Sequence, residues 1–157
     1  VIGLRIQQPG VRINAIKSTI LKFMTKTTIT YWNPLSEENR DKWQPARGLE
    51  GMAEELTLSI DEQTGEYTRL TRFHPGADTT PFGGRSHEYP EEVFIVSGRL
   101  YDAAFARWLQ PGYYASRPPG EVHGPFRTEQ GCVVLEVSFP NRITKKQENS
   151  LCRPAAP

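Results

Sequence analysis

Past residue 51 the chain is a succession of short runs in which apolar and polar positions alternate, each closed by a glycine, proline or polar cluster. LTLSID and YTRLTRF, joined across EQTGE, predict a hairpin, and HPGADTTPFGGR predicts a long irregular loop after it. VFIVSGRLYD and FARWL supply the next strands, GYYASRP another, and GCVVLEVSF the last. In that last run Val133, Leu135, Val137 and Phe139 share one face, the period of two that a strand imposes. With no long helix between them, these runs predict an all-β sandwich or barrel.

The regions outside the barrel read differently. Trp32 to Gly51 is polar and broken by Pro34 and Pro45, which predicts a loop-rich lead-in with one helical turn at SEENRDKW capped by Ser36. Residues 1–23 carry Arg5, Arg12, Lys17 and Lys22 with no acid before Glu37; Ile13, Ile16, Ile20, Leu21 and Phe23 recur at helical spacing, while Val11, Ile13 and Ala15 alternate as a strand would. The expected organisation is an N-terminal arm and lead-in over residues 1–50, a β-barrel over 51–140 and a C-terminal tail over 141–157. An arm of this kind packs on the barrel or on a second subunit, where it hides a sheet edge, so a homodimer is expected.

Composition supports the β assignment and narrows the partners. Thirteen glycines and thirteen prolines in 157 residues favour tight turns over a helical bundle. A net charge of +1, from 19 basic and 18 acidic side chains, gives no overall field for nucleic acid or an anionic membrane, which leaves a small-molecule substrate or ligand as the expected partner. No stretch approaches the roughly twenty apolar residues that span a bilayer. Cys132 and Cys152 form no disulfide framework, and a cytoplasmic setting is expected. Phe94, Tyr101, Phe105, Trp108 and Phe139 are expected in the barrel core.

Candidate chemistry gathers around two histidines. His87 precedes the adjacent Glu91 and Glu92 at the mouth of an apolar run, and an imidazole and a carboxylate so spaced either share a cation or stand solvated. His123 follows RPPGEV, whose paired prolines and glycine fix a tight turn that aims the side chain. Alternation puts Glu91 on one face with Val93 and Ile95 and so favours it over Glu92. His74, in the turn HPGA, is the weaker candidate.

Gly112, Pro118, Gly120 and His123, separated by five, one and two residues, resemble the second motif of the cupin superfamily, with Arg127 where that motif has asparagine. His87, Glu91 and Gly98 match the latter part of the first motif, whose first histidine falls on Arg85. The resemblance covers about residues 66–139, and RFHPGA, HEYPEEVFIVSG and RPPGEVHGPF are similar to anti-sigma-type and dioxygenase-like cupins of bacteria. It implies a jelly-roll barrel, the double-stranded β-helix, with a polar site inside.

For the site, the resemblance implies a divalent transition metal on His87, Glu91 and His123. Two imidazoles and a carboxylate suit Fe(II) or Mn(II), with Zn, Ni or Cu as alternatives. Tyr89, Glu92, Tyr113 or Tyr114 would support the ligands from behind. Arg85 admits three readings: a surface ion pair with Glu88, a clamp on a substrate carboxylate, or the mark of a metal-free pocket. The expected function is a metal-dependent oxidoreductase, dioxygenase-like, or a lyase, acting on a small organic substrate that is anionic, enolisable or aromatic, with Arg85 and Tyr89 as catalytic residues. The alternatives are a non-catalytic sensor or ligand-binding module, and a metal-free sugar-type epimerase with a histidine base facing a tyrosine acid.

Overall fold

The computed structural model describes residues 26–141, so the expected arm of residues 1–23 and all but the first residue of the tail lie outside the described residues. Among the described residues nine strands follow in order: β1 (Gln44–Pro45), β2 (Ala53–Ile60), β3 (Tyr67–Phe73), β4 (Glu91–Gly98), β5 (Leu100–Asp102), β6 (Arg107–Leu109), β7 (Tyr114–Arg117), β8 (Phe126–Arg127) and β9 (Cys132–Ser138). They form two antiparallel sheets, one of six strands in the order β1-β2-β3-β9-β4-β7 and one of three in the order β6-β5-β8. No helix among the described residues is long and apolar enough to cross a membrane.

The run VFIVSGRLYD is two strands in two sheets rather than one. Gly98 has φ +72°, and a Cβ there would stand 2.1 Å from the Gly131 carbonyl oxygen. Only glycine permits so close a crossing, and the chain passes there from the large sheet to the small one.

Register then divides the inward face of the large sheet. β3 and β9 pair Phe73 with Cys132, Thr71 with Val134, Arg69 with Glu136 and Tyr67 with Ser138, while β4 sets Ile95 against Val134 and Glu91 against Ser138. One end of this face is apolar: Ala53, Phe73, Ile95, Cys132 and Val134 belong to a single buried cluster. The other end carries Tyr67, Arg69, Glu91 and Glu136, all lining a cavity of about 350 Å³.

The outward face forms a second core. Trp43, Leu56 and Leu70 are buried together, with Val133 and Leu135 packed against them. The apolar alternation seen in CVVLEVSF therefore marks the side of β9 away from the cavity. Trp43 and Ala46, in the loop-rich lead-in, reach the outward and inward cores respectively.

Some expectations require correction. SEENRDKW makes a short 3-10 helix, Glu37–Lys42, but Ser36 does not cap it, because its hydroxyl donates backward to the Asn33 carbonyl. Phe94 and Phe105 are not core residues, with 41% and 52% of their surface exposed. Phe94 lies opposite Tyr114 near the β7 edge, and Phe105 sits in the turn between β5 and β6, so neither finds a covering layer among the described residues.

Candidate metal centre

His87, Glu91 and His123 converge, each offering a ligand atom within 4.8 Å of the others. Glu91 opens β4 and points inward. Glu92, the alternative, occupies the next position, which alternation directs to the opposite face, and it is not part of the cluster. His123 is held to the His87 segment by main-chain bonds: Arg85 and His123 exchange two N–H to carbonyl bonds of 2.9 Å each, and the Gly120 N–H donates to the His87 carbonyl at 2.7 Å. Gly120, at φ +84°, makes the turn that permits this. The two segments singled out in the sequence are thus stitched together directly.

The side chains around the cluster are ordered by specific contacts. Arg117 Nη1 donates to Glu91 Oε2 at 3.1 Å, and the Ser138 hydroxyl donates to Oε1 at 3.3 Å. Oε1 also faces His87 Nε2 at 3.9 Å. Tyr89 stacks on His87 with ring centres 4.9 Å apart, and the rings of His87 and His123 lie 5.1 Å apart. Across the cavity Arg69 donates from Nε to Glu136 and from Nη1 to Glu55, the latter at 2.9 Å.

Burial sets the protonation states. It lowers His123 to about 4, with Arg117 and His87 acting in the same direction, and it lowers His87 as well. Both imidazoles are therefore neutral near pH 7, the form that donates a lone pair to a metal. Burial and the Glu136 charge raise Glu91, while Arg117 opposes them. Tyr89 is raised by burial and by its hydrogen bond with Tyr67, so its phenol stays protonated. Cys132 is pushed up to about 12 by burial and is inert as a thiolate.

The donor set fits a divalent ion. Among the described residues His123 Nδ1 is buried with no hydrogen-bond partner, a condition that costs about 1–3 kcal/mol unless something satisfies it. Two neutral imidazoles and one carboxylate match the ligand preferences of first-row divalent metals.

Arg85 lines the cavity and is exposed, but its Nη2 is engaged with the Gly48 carbonyl at 3.0 Å. His74 does not join the cluster; it lies 3.5 Å from Glu54 beside Arg72. Arg117, Ser138, Arg69 and Glu136 were missed in the sequence, although period-two alternation signals two of them. Arg117 shares a face with Ala115, and Glu136 is the one charge inside the apolar run CVVLEVSF.

The family described as ChrR Cupin-like domain matches residues 35–140. No curated protein matches the chain. Among solved structures it is similar to an RmlC-like cupin from Shewanella frigidimarina, at 16% identity and TM-score 0.56 over 76% of this chain and 96% of the other. It is also similar to the polyketide cyclase RemF from Streptomyces resistomycificus, at 17% identity and TM-score 0.55 over 81% and 95%. An acetylacetone dioxygenase from Acinetobacter johnsonii matches at 15% identity and TM-score 0.53 over 74% and 77%. At these identities the likeness is one of fold, and the fold is the cupin jelly roll.

Proposed function

Because the chain belongs to the ChrR cupin-like domain family, whose match spans both histidine-bearing segments, we propose that the cavity is the centre of a metal-dependent enzyme acting on a small organic substrate. His87, Glu91 and His123 hold a divalent transition metal, Fe(II) or Mn(II) before Zn, Ni or Cu. The convergence of these three residues, with a buried His123 nitrogen left unpaired, carries the reading. Such an ion supplies Lewis acidity and, where redox-active, the electrons that dioxygen chemistry needs.

The chain's own groups do the rest. Arg117 and Ser138 fix the Glu91 carboxylate from both oxygens, and Tyr89 keeps the His87 ring from rotating. Arg47 and Arg85 line the same cavity and attract a substrate bearing a negative charge, so Arg85 is assigned to substrate positioning. Tyr89 is assigned to a protonated donor beside His87. The apolar end of the interior excludes water from the substrate's far side. The reaction is oxidative, dioxygenase-like, or a lyase step on an enolisable or aromatic substrate. The protein works in the cytoplasm as a homodimer without nucleic acid or membrane partners; the exposed Ile29, Tyr31 and Leu35 of the lead-in support a second subunit.

Metal-free protein reconstituted anaerobically with Fe(II) and mixed with enolisable dicarbonyls and phenolic acids is expected to consume dioxygen in step with substrate, and His123→Ala to abolish this. Binding without turnover under any of the five metals would instead favour the non-catalytic sensor. One observation supports that second reading: Arg85 occupies the place of a further histidine ligand and is tied to Gly48. The epimerase reading has less support, because Tyr89 stacks beside His87 rather than facing it.

A further inference from the structure

The two sheets leave one seam open. β6 and β7 are each at the end of their sheet, and no ladder joins them among the described residues. A second cavity, of about 260 Å³, lies along this seam. Its walls are the inward side chains of Val93, Ile95, Leu109 and Ala115. Phe105 and Tyr113, about half exposed, line it as well and stand toward solvent. Main-chain bonds fix Tyr113 in place, since the Ile95 N–H donates to the Tyr113 carbonyl at 2.9 Å and the Gly112 N–H to the Ile95 carbonyl at 3.0 Å.

Arg117 and Asp102 supply the buried polar end. Arg117 is nine-tenths buried and lines both this cavity and the one holding the histidine cluster. Among the described residues its guanidinium is short of acceptors: Nη1 has Glu91, Nη2 stands 3.8 Å from Asp102 Oδ2, beyond hydrogen-bond length, and Nε is buried with no partner. Buried donors of this kind are costly until an acceptor reaches them. The flanking Glu91 and Asp102 carboxylates more than offset its positive charge, and Arg107 and Glu121 line the cavity with one charge of each sign. The missing partner is therefore a neutral oxygen rather than an anion.

We propose that the β6–β7 seam is a binding site for a neutral compound of one or two aromatic rings bearing a carbonyl or phenolic oxygen, the rings lying between Phe105 and Tyr113 and the oxygen accepting from Arg117. The volume suits this class, since a cavity of about 150 Å³ accommodates benzene. The site does not depend on a metal at the histidine cluster, and the test separates the two.

Wild-type protein and His87→Ala, both metal-free, are titrated with 4-hydroxyacetophenone while backbone amide shifts are followed by NMR. Saturable shifts centred on residues 93–95 and 105–117 in both proteins are expected, with affinity weakened about fivefold in Phe105→Ser, the scale of one aromatic contact. Phe105 is an exposed turn residue, so this variant leaves the fold intact. No saturation, unchanged affinity in Phe105→Ser, or shifts centred on residues 85–91 and lost in His87→Ala would each overturn the proposal. So would shifts of the same seam amides with rising protein concentration alone, which would give the seam to a second copy.

Discussion

The two ends of the barrel interior are built from the same three strands and have opposite chemistry. At one end Phe73, Ile95, Cys132 and Val134 make an apolar floor. Two to four residues further along the same ladders stand Arg69, Glu91, Glu136 and Ser138. Because register fixes which residues share a level, the sheet places an apolar core and a charged site within one continuous set of hydrogen bonds. The floor stabilises the fold, and the polar end is held only where each charge has a partner. Arg117 with Glu91, and Arg69 with Glu136 and Glu55, meet that condition.

Substitutions at the two ends should separate stability from chemistry. Phe73→Ala removes a buried ring packed edge-on against Phe126, and a loss of about 4 kcal/mol in urea unfolding is expected, with metal affinity of the folded fraction nearly unchanged. At the polar end, Arg117→Met removes the cation bonded to Glu91 and facing Asp102. It should lose about 3 kcal/mol at pH 7 by the same assay, and unlike Phe73→Ala it should also weaken metal binding at least tenfold by competition titration.

The pH dependence gives a smaller contrast. His123 titrates at about 4 when folded, against an ordinary value of 6.5, so between these values the unfolded chain binds the extra proton. Stability of the metal-free protein from this group is fully present above pH 6.5 and is lost as pH falls toward 4. Unfolding at pH 7 and pH 4.5 should show a drop of the order of 2 kcal/mol that His123→Gln removes and Phe73→Ala keeps. Smallest is Ser138→Ala, which deletes one hydrogen bond to Glu91 and should change stability by about 1 kcal/mol.

The apolar half of this division was legible in the sequence, and the polar half only in part. Alternation in YTRLTRF matches β3 residue for residue, and after the Pro-Gly turn a ligand atom of His123 lies within 4.8 Å of those of His87 and Glu91. Glu91 was visible because it opens a strand, and His87 because it stands four residues ahead of it. The partners of Glu91 were not, since Arg117 and Ser138 meet it only through pairing of β4 with β7 and β9, a long-range register that local periodicity does not encode. β1 and β8, two residues each, are shorter than any periodic signal. Gly98 ended a run as expected, but its close approach to Gly131 depends on the fold closing.

His87, Glu91 and His123 are proposed to form one metal site at the polar end. Elemental analysis of protein after reconstitution and desalting, wild type beside His123→Ala, tests it most directly. Near-stoichiometric Fe or Mn in the wild type, falling at least tenfold in the variant while the fold is retained, is the predicted result. Wild-type protein that retains none of Fe, Mn, Zn, Ni or Cu, or a variant that retains as much as wild type, would contradict it.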